Sequence, residues 1–105
     1  MAGKTQKGTK QNTRGATRLK IKEPSKYRVI MLNDDFTPMD FVVQILVEIF
    51  GKENADAVAL MLKVHHEGQA CIATYSYDVA ATKQRMAMER ARAEGYPFQI
   101  RLDEE

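Results

Sequence analysis

The densest group of side chains able to do chemistry is Asn33-Asp34-Asp35. An amide oxygen and two carboxylates are strong hydrogen-bond acceptors, so together they could form a lip for a cation, above all an ammonium group. The same three residues also suit a tight turn, where Asn and Asp side chains close backbone hydrogen bonds. The spaced acids and terminal Glu of a calcium-binding EF-hand loop are missing. His65-His66 is the second candidate. Neighbours on a helix point about 100° apart, and the i, i+4 spacing of a helical zinc pair is absent, so no metal site is expected. His65 shares a helical face with Met61 and Leu62, which predicts partial burial, either as a core histidine or as a ligand-facing one. Met39, Met61, Met86 and Met88 could line an adaptable apolar pocket or simply pack in the core. Cys71 sits in an apolar stretch and is expected to be inert. No nucleophile motif, glycine-rich phosphate loop or catalytic carboxylate pair occurs, so neither an enzyme nor a cofactor is expected.

These residues need elements to position them. Tyr27-Arg28-Val29-Ile30-Met31-Leu32 reads as a strand that ends at the Asn33-Asp34-Asp35 turn. Thr37 then reads as a helix cap, with Pro38 at the first helical position and Asp40 as the acid of the first turn. Val42, Ile45, Leu46 and Ile49 keep helical spacing up to Phe50, and Gly51 is the stop. Asn54 is expected to cap a second helix running to about Glu67, with Gly68 ending it. Ala57, Val58, Met61, Leu62 and His65 are expected on one side of that helix. Ala70–Tyr75 reads as a second strand. Ser76 is expected to cap a third helix, with Asp78 in its first turn and Gly95 beyond its end. Phe98-Gln99-Ile100-Arg101-Leu102 alternates as a closing strand. The order β-α-α-β-α-β is that of a small α+β domain with helices over one face of a three-stranded sheet.

A chain of 105 residues accommodates one domain. The net charge of +2 conceals a division. Residues 1–26 carry eight basic side chains and one acid, and residues 27–105 carry eight basic and thirteen acidic ones. The expected organisation is a disordered basic extension over residues 1–25 and a folded core over residues 26–105, because the extension has too few apolar residues to offset the entropy of ordering. The extension could be a solubilising arm, a nucleic-acid arm or a segment engaged by another protein. No apolar run is long enough for a membrane span, and neither a signal-peptide pattern nor a second cysteine occurs. A cytoplasmic location is therefore expected, with no membrane partner.

Taken together, Asn-Asp-Asp-Phe-Thr-Pro-Met-Asp-Phe-Val-Val at 33–43, Met-Leu-Lys-Val-His-His-Glu-Gly at 61–68 and Asp-Val-Ala-Ala-Thr-Lys at 78–83 resemble the three motifs of the ClpS family, in order and spacing. The resemblance implies a three-stranded antiparallel sheet with three helices. It also implies an adaptor of the N-end rule pathway, which binds proteins bearing N-terminal Leu, Phe, Tyr or Trp. The adaptor would deliver them to the N-terminal domain of a ClpA-type AAA+ unfoldase of the ClpAP protease. On this resemblance Asn33, Asp34, Asp35 and His65 would bind the substrate's α-amino group. Thr37, Met39, Val42, Met61 and Val64 would line its side-chain pocket, with Met39 as the gate against β-branched residues and Phe98 beside the pocket. Asp78, Thr82 and Lys83 would dock the unfoldase, and the basic extension would serve in substrate handover. Three departures stand out: Cys71-Ile72-Ala73 where many relatives have Cys-Gly, Phe98 where Leu is common, and Ala81 where Glu is common. They suggest a paralogue with narrower specificity. A different class of function, a small nucleic-acid-binding protein using the basic extension, is opposed by the net acidity of the core, so no nucleic-acid partner is expected.

Overall fold

The computed structural model describes residues 24–105, so the expected basic extension lies almost wholly outside the described residues. The elements are β1 (Lys26–Leu32), α1 (Met39–Glu48), α2 (Asn54–Glu67), β2 (Gln69–Ser76), α3 (Tyr77–Ala93) and β3 (Gln99–Glu104). This is the expected β-α-α-β-α-β order. The sheet has the order β2-β1-β3, with both neighbours antiparallel to the central β1. The protein is therefore an α+β domain.

Burial of apolar side chains selects one face of the sheet. Val29 and Met31 of β1, Ala70 and Ile72 of β2 and Ile100 of β3 pack against Phe41, Val42, Ile45, Leu46 and Ile49 from α1 and its C-terminal turn. The face of α3 that meets the sheet is built on Ala80, Ala87 and Ala91, all fully buried. Small side chains there let the helix axis approach the strands closely. One irregularity sets the geometry of β2. Val29 pairs with Ala73 but Ile30 pairs with Cys71, so Ile72 is an extra residue opposite the Val29–Ile30 step. Such a bulge reverses the in–out alternation. It allows Ala70 and Ile72 on one side of it, and Ala73 and Tyr75 on the other, all to turn toward the core.

Several local expectations shift. The N-cap of α1 is Pro38, not Thr37, and no side chain caps this end. The Pro38 carbonyl accepts from the N–H groups of Phe41 and Val42 at 3.1 and 3.3 Å, while the Thr37 hydroxyl is engaged elsewhere. Glu53, not Asn54, is the N-cap of α2. Ser76 does hold the N-cap position of α3, but its hydroxyl makes no capping bond. The apolar stripe of α2 is also rotated from the expected one. Its inward line is Ala57, Leu60, Met61 and Val64, whereas Val58 and Leu62 are exposed. The cause is that, among the described residues, α2 packs mainly on α1 and β2, so its buried stripe is narrower than its apolar composition.

Candidate functional site

The loop between β1 and α1 carries the acceptor-rich residues, and its shape follows from Asp34. One carboxylate oxygen, Oδ1, accepts from the N–H groups of Phe36 and Thr37 at 2.8 and 2.7 Å. The other, Oδ2, accepts from the Thr37 hydroxyl at 2.8 Å. This is the turn chemistry that an Asp followed three residues later by a Thr can provide. Partial burial pushes the Asp34 carboxyl up, but the Thr37 N–H, the Phe36 N–H and the Thr37 hydroxyl outweigh it and hold the group below its ordinary value. Turn and lip are therefore not alternatives. One acid builds the turn, and the turn presents Asn33 and Asp35, both exposed, on either side of it.

A second contact brings this loop to α2. The Asn33 N–H donates to the Gly68 carbonyl at 2.9 Å. Gly68 is the C-cap of α2 and has φ +90°, a left-handed conformation that glycine adopts without a Cβ penalty. Its own N–H bonds to the Val64 carbonyl at 2.9 Å. His65 lies in this last turn, three residues before Gly68, so the hydrogen bond places the lip beside the end of the helix that carries it. The expected partial burial of His65 is not observed: the imidazole is exposed, because the inward line of α2 passes through Met61 and Val64. Its neighbour is His66, with ring centroids 5.3 Å apart. Among the described residues, no three His, Cys, Asp or Glu side chains gather as a metal site would require.

Behind the lip, α1 packs against α2. Met39 and Val42 are three apart on α1, as are Met61 and Val64 on α2, so each pair shares a helix face. Val42 and Val64 belong to the buried core, with Met61 half-buried against it, Thr37 half-buried and Met39 43% exposed. Of these five residues, the two valines are buried, Thr37 and Met61 are half-buried and Met39 is exposed. Phe98 is placed differently. It is 1% exposed and packs edge-on against Phe41 with centroids 6.2 Å apart; Phe41 in turn meets Tyr96 at 4.9 Å. Phe98 thus supports α1 from within the core and presents no open surface here. Met86 is exposed and Met88 half-buried, both on α3.

On α3, Asp78 and Thr82 are exposed and one helical turn apart. Lys83 is committed within the chain. Its Nζ donates to the Ile49 carbonyl at 2.8 Å and lies 5.5 Å from the centre of the Tyr75 ring. Ile49 is the C-cap of α1, so this ammonium satisfies a carbonyl left open at a helix end. The tie spans 34 residues of sequence, and nothing in the local sequence signals it. Cys71 is exposed, not enclosed, because its place in β2 next to the bulge turns it to the outer face of the sheet.

The described residues form a small α+β domain in which one loop carries Asn33, Asp34 and Asp35 beside the C-terminal turn of α2. The family model for ATP-dependent Clp protease adaptor protein ClpS matches residues 22–101, and the chain belongs to that family. It is 52% identical over 87 residues to the ATP-dependent Clp protease adapter protein ClpS of Neisseria gonorrhoeae, covering 83% of this chain and 84% of that protein. It is 49% identical over 84 residues to the protein of the same name from Treponema denticola, covering 80% and 83%. Among solved structures, Agrobacterium tumefaciens ClpS2 bound to L-phenylalaninamide superposes with a TM-score of 0.77 at 30% identity. That match covers 79% of this chain and all of the other. The chain is accordingly an adaptor of a Clp protease and not an enzyme. No helix among the described residues is long and apolar enough to cross a membrane.

Proposed function

We propose that this adaptor is an N-recognin. It binds proteins through a free N-terminal Leu, Phe, Tyr or Trp and delivers them to the N-terminal domain of a ClpA-type AAA+ unfoldase. The observation that carries this reading is the 2.9 Å bond from the Asn33 N–H to the Gly68 carbonyl, which holds the acceptor lip against the turn of α2 that bears His65. An α-amino group has an ordinary pKa of about 7.7–8.0 and is mostly charged at neutral pH. Its N–H donors need acceptors from more than one direction once a partner covers it. Asn33, Asp35 and the imidazole of His65 supply them. Asp34 contributes its negative charge, while three of its acceptor positions hold the loop. An acetylated terminus offers neither the charge nor the donors, so it is rejected.

The first side chain of the substrate enters between Met39 and Met61, over Val42 and Val64. Burying a Leu or aromatic side chain there is worth about 1.5–3 kcal/mol, and unbranched thioethers adjust to either shape. L-Phenylalaninamide, the ligand of the Agrobacterium relative, combines a free α-amino group with an aromatic side chain, the two features this site is built to take. Asp78, Thr82 and the part of Lys83 not used on Ile49 provide the docking surface for the unfoldase. Ala81 there removes a contact that relatives with Glu at this place can make.

The test is fluorescence anisotropy with short labelled peptides starting with Leu, Phe, Tyr, Trp, Ile or Met, and an acetylated Phe control. Binding of free Leu and aromatic termini well above Ile and acetylated Phe is the expected result. Equal binding of free and acetylated Phe would overturn the reading.

A further inference from the structure

We infer that Phe36 is a specificity residue for the second position of the bound substrate, which it selects for apolar side chains. The inference rests on the proposed α-amino and first-residue site and deepens it. Phe36 is 76% exposed, more than any other large apolar residue of the described chain. A single exposed aromatic ring is ordinary on a protein surface, but its setting here is not. Its backbone N–H is fixed to Asp34 Oδ1 at 2.8 Å, and the next residue is held by two further bonds to the same carboxylate at 2.7 and 2.8 Å. The backbone that carries the ring is thus held by the turn, so little backbone entropy is lost when something covers the ring. It stands midway in sequence between Asn33, assigned above to the substrate's amine, and Met39, assigned above to its first side chain. Met39, three residues further on, is itself 43% exposed, so this short segment carries two exposed apolar side chains.

A chain whose amine is at Asn33 and whose first side chain passes Met39 has its second Cα about 3.8 Å from its first. That Cα would lie outside the first-residue site, and Phe36, in the loop between Asn33 and Met39, is the most exposed large apolar side chain of the described residues. An apolar second side chain can cover that ring, whereas a serine covers little of it. Partial burial of one aromatic face against a Leu side chain corresponds to an affinity gain of roughly 3- to 10-fold. The backbone bonds that shape the loop do not involve the Phe36 side chain, so a substitution there leaves the turn chemistry in place.

The experiment is an anisotropy titration of the full chain with free-amine peptides Phe-Leu, Phe-Ser and Phe-Lys in one common downstream sequence, repeated with Phe36→Ala. The wild type is expected to bind Phe-Leu roughly 3- to 10-fold tighter than Phe-Ser. In Phe36→Ala that ratio is expected to fall to within about 2-fold. A ratio that survives in Phe36→Ala, or its absence in the wild type, overturns the inference. A preference for Phe-Lys that persists in Phe36→Ala also overturns it and moves second-position selection to the carboxylates of Asp35 and Asp40. Acetylated peptides titrated against the wild type separate the two readings. If they bind as well as free ones, the α-amino site and this inference fall together. If only the second-position ratio is flat, the inference falls alone.

Discussion

The rim of the proposed recess and its floor are made by opposite means. The floor, Val42, Val64 and the Phe98–Phe41 contact behind them, is held by packing among side chains that are 1–8% exposed. The rim, Asn33 to Thr37, is shaped by one carboxylate and one backbone hydrogen bond to Gly68, with solvent on its outer side. Packing is close and unforgiving, so the floor carries stability. Charge-assisted bonds are directional and keep their polar atoms accessible, so the rim carries chemistry. On the proposed reading the exposed Asn33 and Asp35 would meet the ligand, while Asp34 holds the loop that presents them.

The largest effect expected from this division is at the floor. Phe98→Ala removes a fully buried ring, and such truncations cost about 3–5 kcal/mol. That is a large part of the 5–15 kcal/mol typical of a domain. Urea denaturation of the variant should show a strongly lowered midpoint, with any loss of peptide binding following the loss of folded protein. A cost below about 1 kcal/mol would mean that the site collapses around the missing ring, and the division would fail there.

The rim predicts a smaller and pH-dependent effect. Asp34→Ala removes three hydrogen bonds from the loop and should cost about 1–2 kcal/mol by analogy with the loss of a capping side chain. The folded Asp34 carboxyl lies below its ordinary value. Its stabilising contribution is therefore complete above the unfolded carboxyl pKa of about 3.9 and is lost as pH falls through the lower folded value. The difference between wild type and Asp34→Ala in urea midpoints should be constant from pH 8 to about pH 5 and shrink below about pH 4. A difference of the same size at pH 3 would show that the loop depends on shape and not on charge.

How much of this division was legible beforehand depends on the range of the interaction. Element order was readable because Asn33-Asp34-Asp35, Pro38, Gly51, Gly68 and Gly95 punctuate apolar runs of clear period. The burial of Val42 was readable from its helical spacing, whereas Val64 was absent from the expected α2 face and entered only through the family resemblance. The orientation of α2 was not readable, since Val58 and Leu62 are as apolar as the residues that turn inward and only the packing partners choose among them. The bulge at Ile72 was hidden for the same reason: an extra residue is defined by the strand opposite. The tie from the Lys83 ammonium to the Ile49 carbonyl was not legible either, because chain folding brings that carbonyl to it across 34 residues.

Lys83 is the mixed case, a polar anchor over a half-buried helix end. Lys83→Met keeps the apolar stem and removes the ammonium, so the Ile49 carbonyl loses its partner. A cost of about 1 kcal/mol is expected, the size of one hydrogen bond. Hydrogen exchange should show faster opening of the last turn of α1 while the middle of the helix is unchanged. Equal exchange in both proteins would return Lys83 wholly to the docking surface.

Met39→Ala should separate rim from floor most sharply, because its effect on stability is the smallest. The side chain is 43% exposed, so the change in urea midpoint should correspond to no more than about 0.5 kcal/mol. Binding should nevertheless change in kind. With the thioether gone, the space beside Val42 widens at the mouth, and a substrate side chain branched at Cβ no longer meets the gate. Peptides starting with Ile or Val should then approach the affinity of those starting with Leu, measured by anisotropy at equal stability. If Met39→Ala keeps the preference of the wild type, selection against β-branched residues lies deeper, at Val42 and Val64. The floor would then carry specificity as well as stability, and the two regions would not divide the work as their construction implies.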